Sequence, residues 1–139
     1  METRQKTLHL GIGGFPGGGK STVMEILVER YGVPIIPRFT SRPPRPGETH
    51  SREYRFLEPD IFDVLLEKGF FFPKTVSQVE VSGKFCRTAI PRKKYWVKPP
   101  SGTNFILSFF GEKALLIRKE VPEMRLVFIS CNDRSVLIE

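Results

Sequence analysis

Apolar and polar positions along this 139-residue chain change period several times, and each change marks an element. Leu8, Leu10 and Ile12 alternate with polar or small neighbours, which predicts a short strand running into a glycine-rich turn. From Lys20 the period lengthens. Val23, Ile26 and Leu27 fall at i, i+3 and i+4, Tyr31 follows one turn later, and Glu25 and Arg30 lie off that stripe. This spacing predicts an amphipathic helix, with Gly32 placed to end it. Residues 33–36 (VPII) predict a second short strand, limited by Pro34 and Pro37.

Residues 38–55 cannot be helical, because Pro43, Pro44 and Pro46 remove donors and push their neighbours toward extended backbone. Pro59 and Asp60 then open a helix carrying Ile61, Phe62, Leu65 and Leu66, closed by Gly69. Short β-like pieces are expected at 70–72, 76–81 and 95–97, and a break at 99–102 (PPSG). A buried strand at 105–110, a helix near 112–120 and a strand at 125–130 follow, with the beginning of a helix at 133–139. Strand, glycine turn, helix, strand, then strand, helix, strand is an α/β pattern with a parallel sheet. The stretch from 38 to 98 differs in texture and is expected as an inserted lobe on a core of 1–37 and 99–139.

Composition narrows the field. Apolar residues at 40% and charged residues at 27% are near globular averages, which excludes wholesale disorder. No apolar run approaches the ~20 residues of a membrane-spanning helix, and the first residues lack the pattern of a secretory signal. Cys86 and Cys131 are far apart without a CxxC or a histidine partner, so neither a disulfide scaffold nor a zinc site is expected. A reduced cytoplasmic protein is the expectation. The excess of 22 Lys+Arg over 15 Asp+Glu gives a net charge of +7 and asks for an anionic partner. Twelve phenylalanines suggest a core built on aromatic packing.

The sharpest motif is Gly14-Phe15-Pro16-Gly17-Gly18-Gly19-Lys20-Ser21, followed by Thr22, which matches G-x-x-x-x-G-K-[ST] between a strand and a helix. Glycines let the backbone curl so that successive N–H groups face phosphate oxygens, and the helix adds its partial positive N-terminus. Gly14, Pro16, Gly17, Gly18, Gly19, Lys20, Ser21 and Thr22 are therefore candidates for binding the phosphates of a nucleoside triphosphate. Lys20 would bridge the β- and γ-phosphates, and the Ser21 hydroxyl would be a ligand of Mg²⁺.

A second cluster lies in Thr40-Ser41-Arg42-Pro43-Pro44-Arg45-Pro46-Gly47-Glu48, continuing to Arg52-Glu53-Tyr54. Arginines on a proline-stiffened loop lose little entropy on binding, and each guanidinium can grip a phosphate through two parallel hydrogen bonds. A phosphate acceptor fits this arrangement, with a solvated basic loop or a PxxP ligand as alternatives.

Together, the P-loop, T-S-R-P-P-R-P-G-E and R-E-Y-R-F resemble guanylate kinase, from about Leu8 to Gly69 and more weakly through 105–111 and 125–130. The resemblance implies a P-loop NTPase-type three-layer fold and transfer of a phosphoryl group from ATP to a nucleoside monophosphate, GMP or dGMP. It gives catalytic roles to Lys20, Arg42 and Arg45, with Arg42, Arg45 and Tyr54 holding the acceptor phosphate on a mobile lobe. Residues 80–88 are similar to the family's E-V-x-G-x-Y-Y-G-T segment, so Glu80 and Thr88 become neighbours of the base. The chain also departs from the pattern. Arg38 replaces a serine at the acceptor site, Cys86 and Arg87 replace the tyrosine and glycine of Y-G-T, and the acidic strand end reads Ser108-Phe109-Phe110. Family members continue through an arginine-bearing lid and an adenine-contacting loop, and both are expected to be missing here.

Two other classes stay open on sequence grounds: a pseudokinase or interaction module that kept the fold, and a nucleic-acid-binding protein. The second rests on the acid-free stretch from Val81 to Gly111, where Lys84, Arg87, Arg92, Lys93, Lys94 and Lys98 accumulate near Phe85, Tyr95 and Trp96. A solvated basic face explains the same residues. His9 is expected to be structural, His50 solvated, and residues 70–72 core packing.

Overall fold

The computed structural model describes residues 9–14, 19–48, 52–96, 105–109 and 113–129. The chain forms two compact units, one made of Met1–Ile36 with Lys98–Glu139 and the other of Pro37–Val97.

In the first unit, β1 (His9–Gly14) is the centre of a parallel sheet ordered β6-β1-β7, with β6 at Phe105–Phe109 and β7 at Met124–Ile129. Helix α1 (Lys20–Tyr31) follows β1, and α3 (Lys113–Glu120) joins the two outer strands. Pleating puts Leu10 and Ile12 on the same sheet face as Ile106. There Ile12, Met24 and Ile106 form a buried cluster with Leu27, Val28 and Ile35 packed against it. The buried stripe of α1 is thus Met24, Leu27 and Val28, not the expected one, for Ile26 is 42% and Tyr31 71% exposed. The i, i+3, i+4 spacing fits both frames, one residue apart, and contact with Ile12 and Ile106 selects between them. Gly32 ends the helix as expected, its N–H donating to the Val28 carbonyl.

Residues 33–36 do not form the expected strand. Ile35 makes a single bridge to Ile106, held by Ile106 N–H to Pro34 O at 2.9 Å and Ile36 N–H to Ile106 O at 2.7 Å. Pro34 and Pro37 have no N–H to extend the ladder.

The second unit is built on a four-stranded sheet ordered β3-β2-β5-β4, with β2 at Arg38–Thr40, β3 at Tyr54–Phe56, β4 at Ser77–Val81 and β5 at Lys84–Ala89. β2 and β3 are parallel, while the other pairs are antiparallel. Helix α2 (Pro59–Glu67) starts at its proline, as the sequence predicts, but it buries Phe62 and leaves Ile61 51% exposed. Phe62 stacks on Phe71 at 4.8 Å between ring centroids, and Phe39 and Phe70 complete an aromatic core. Phe70–72 is therefore packing, though Phe71 makes one bridge, to Pro91, and Tyr95 belongs to the 3-10 turn Lys93–Tyr95 rather than to the expected strand piece.

Candidate functional site

Each unit carries part of the candidate chemistry. In the first, β1 delivers the chain to Gly14 and α1 receives it at Lys20. A Cβ on Gly14 would come within 2.7 Å of the Ile129 carbonyl oxygen, so only glycine lets β1 pass β7 this closely before the turn. Pro16, Gly17 and Gly18 lie outside the described residues. Gly19 has φ of 90°, and the Val23 N–H donates to its carbonyl at 3.1 Å, closing the first turn of α1. That turn holds no acidic residue, so nothing on it competes with an anion for the helix N-terminus. Lys20 is half-buried, and Ser21 and Thr22 are exposed. Ser108 is buried within β6 opposite Ile12, in the first unit.

Among the described residues no group of three or more His, Cys, Asp or Glu could hold a metal ion. One exposed serine hydroxyl at a helix start instead fits a magnesium ion that keeps water ligands and is held chiefly by nucleotide phosphates.

In the second unit, strand register decides which side chains meet. Arg38 pairs with Tyr54, Thr40 with both Phe56 and Thr88, and Cys86 with Val79, so pleating turns Arg38, Thr40, Tyr54, Phe56, Cys86 and Thr88 to one face. Phe39 and Ala89 point to the other, into the aromatic core. Glu80 pairs with Phe85, and Phe85 is three residues from Thr88 on the same strand, so Glu80 faces away from Thr88. Glu80 and Thr88, both expected near the base, thus leave this sheet on opposite faces.

Tyr54 is the hub of the polar face. The Arg38 Nη2 donates to its hydroxyl at 2.6 Å, and the Arg38 and Arg42 guanidinium carbons lie 4.5 and 4.8 Å from its ring centroid. Arg42 also lies over Phe56 at 5.4 Å. Burial pushes Arg38 below its ordinary pKa, with Arg42 adding to the fall and Tyr54 and Glu53 opposing it.

Glu48 and Thr40 are functional-looking residues that the sequence motif contains but that the spacing alone does not single out. Arg45-Pro46-Gly47-Glu48 closes a turn through Glu48 N–H to Arg45 O at 2.9 Å, with Gly47 at φ 87° behind the proline, as a type II turn requires. The turn brings the Glu48 carboxylate back to Arg42, which donates Nη1 to Oε1 at 3.0 Å and Nη2 to Oε2 at 2.9 Å. The Arg45 N–H donates to the same Oε1 at 2.9 Å, while the Arg45 side chain is 75% exposed. Hydrogen bonding to Arg42 is the main reason that Glu48 is pushed down to about 2, and its return effect raises Arg42. Buried Thr40 accepts from Arg42 N–H at 3.2 Å and from Thr88 Oγ1 at 3.0 Å, and donates to Arg87 O at 3.0 Å. Arg87, which replaces the glycine of the family motif, pairs with Asp63 and lies 4.8 Å over Phe62, tying β5 to α2.

A strand delivering a glycine loop to a helix on a parallel sheet defines the class: the fold is that of P-loop NTPases. No protein-family model matches the chain. It is 34% identical over 113 residues to a guanylate kinase of Nocardia farcinica, covering 81% of this chain and 56% of that protein. It is 32% identical over 124 residues to one of Xanthomonas euvesicatoria pv. vesicatoria, covering 88% and 58%. The crystal structure of guanylate kinase from Anaplasma phagocytophilum superposes with a TM-score of 0.62 at 21% identity, over 88% of this chain and 59% of that one, and supports the fold. The chain belongs to the guanylate kinase-like family, and it spans somewhat over half the length of these curated relatives. Among the described residues no helix is long and apolar enough to cross a membrane.

Proposed function

We propose that this chain transfers the γ-phosphoryl group of ATP to a nucleoside monophosphate, with GMP or dGMP as the favoured acceptor, in the cytoplasm. The observation that carries the proposal is the arginine–tyrosine cluster of Arg38, Arg42 and Tyr54 on one face of a sheet, in a chain related to guanylate kinases. Residues 38–98 act as the acceptor lobe of a single domain, and Gly14–Thr22 as the phosphate loop.

The roles follow from the chemistry of each group. The loop N–H groups and the start of α1 bind the ATP phosphates, and Lys20 neutralises charge between the β- and γ-phosphates. Magnesium supplies further neutralisation when bound, with the Ser21 hydroxyl as the protein's ligand. Arg42, Arg45 and Tyr54 grip the acceptor phosphate. Arg42 is already aimed by Glu48, whereas the Arg45 side chain is 75% exposed and reaches Glu48 Oε1 only at 4.0 Å, so it can exchange that contact for the ligand. Thr40 and Thr88 share the acceptor face, whereas Glu80 projects from the opposite face of β4. Acceleration comes from positioning and charge stabilisation, since phosphoryl transfer leaves little covalent chemistry to the protein.

A coupled ADP-release assay across GMP, dGMP, AMP, UMP and dTMP, with Lys20→Ala as control, tests the proposal. Turnover highest with GMP or dGMP and lost in Lys20→Ala is the expected result. ATP binding without turnover on any acceptor would point to a pseudokinase.

A further inference from the structure

Arginine is almost never fully buried unless it is paired, yet Arg38 is only 6% exposed. What its burial achieves is visible at Tyr54. The two residues are cross-strand partners in the parallel β2–β3 pair, and the Arg38 backbone is fixed by its N–H to the Glu53 carbonyl at 2.8 Å. The Arg38 guanidinium covers the Tyr54 ring at 4.5 Å and donates Nη2 to the phenol oxygen at 2.6 Å. A guanidinium carries donors and no acceptor, so the phenol oxygen is the acceptor in this bond. Arg42, the other guanidinium over the ring, cannot accept the phenol proton either. The arrangement leaves Tyr54 with its proton directed at a group that can accept, and anionic oxygens are the strongest acceptors available to it.

We propose that Arg38 is a positioning residue that acts through Tyr54: by donating to the hydroxyl, it makes the phenol a fixed hydrogen-bond donor to the acceptor's phosphate oxygen. The inference rests on the acceptor-site role proposed above and adds to it a source of discrimination between a nucleoside monophosphate and the uncharged nucleoside.

Calorimetric titration with GMP and with guanosine tests it without requiring turnover. The full chain is compared with Arg38→Ser, Tyr54→Phe and the double variant, with Arg38→Met as a second replacement of nearly native length should Arg38→Ser not fold. Each single replacement is expected to weaken GMP binding about tenfold, the size of one charge-assisted hydrogen bond, and to leave guanosine binding unchanged. In the Tyr54→Phe background the Arg38 replacement is expected to cost less than about twofold more, because the two residues act as one unit. Multiplicative losses in the double variant, or unchanged GMP affinity in both Arg38 variants, overturn the inference and leave the acceptor site standing. A native chain that binds neither GMP nor another nucleoside monophosphate overturns the acceptor site itself, and this inference with it.

Discussion

Both carboxylate oxygens of Glu48 are held by Arg42, in a two-bond fork at 3.0 and 2.9 Å across the Pro46–Gly47 turn. The pair is mostly shielded, with side-chain exposures of 10% for Arg42 and 24% for Glu48. The fork keeps the Arg42 guanidinium over Tyr54, and the same carboxylate ties down the Arg45 backbone.

Glu48→Gln is expected to lower stability by about 1 kcal/mol, since a charge-assisted pair becomes a neutral hydrogen bond at a partly exposed site. The pH dependence follows from the depressed carboxyl. Glu48 is held at about 2 in the folded chain against an ordinary 4.5, so its contribution is complete above 4.5 and is lost as pH falls toward 2. Urea unfolding between pH 6 and pH 2.5 checks both points. The gap between native and Glu48→Gln is expected to shrink as the solution is acidified.

Arg45 and Arg42 are expected to separate cleanly. Arg45 has an exposed side chain, so Arg45→Ala should leave stability within about 0.5 kcal/mol of native. Its effect should appear as roughly a tenfold rise in acceptor KM, the loss of one charged hydrogen-bonding group. Arg42→Ala should raise KM and also lower stability, because Glu48 loses both donors. Steady-state kinetics beside thermal unfolding reads the two effects independently.

Gly14→Ala brings a methyl group within 2.7 Å of a backbone oxygen on β7, which cannot rotate away. The strands must part, and a loss of about 1–3 kcal/mol is expected from this overpacking. Because Gly14 also opens the proposed phosphate loop, ATP affinity should fall in the same variant. Differential scanning fluorimetry with and without ATP measures both.

In the second unit, Phe62→Ala is expected to cost about 3–5 kcal/mol, as truncation of a fully buried aromatic does. Its neighbour Ile61, 51% exposed, should cost far less when replaced by Ala. Equal losses at the two positions would mean that α2 presents a different face to the sheet.

Much of the first unit was legible in the sequence because its elements follow strong local rules. Alternating Leu10 and Ile12, the glycine loop and Gly32 bracket β1 and α1, and the expected strands and helix between residues 105 and 129 agree with β6, α3 and β7 to within a residue or two, while the helix start expected at 133–139 lies outside the described residues. Which face α1 buries was not legible, since Met24, Leu27 and Val28 satisfy the same spacing as Val23, Ile26 and Leu27. In the second unit, β5 was harder to see. It alternates Cys86 and Thr88 on one face with Arg87 and Ala89 on the other, so neither side reads as an apolar row. The candidate residues were found as types, whereas their arrangement depends on register. Register turned Glu80 away from Thr88, and the Pro46–Gly47 turn made Glu48 a partner of Arg42 rather than a surface charge.

The most direct measurement follows the phosphoryl group itself. The chain is mixed with magnesium, GMP and ATP labelled in its γ-phosphate, and the products are separated over time. Label passing into GDP, with Lys20→Ala slowed by about a hundredfold or more as for other transition-state charge donors, is what the account predicts. Label remaining in ATP or appearing only as inorganic phosphate, while the native chain binds both nucleotides, would contradict it.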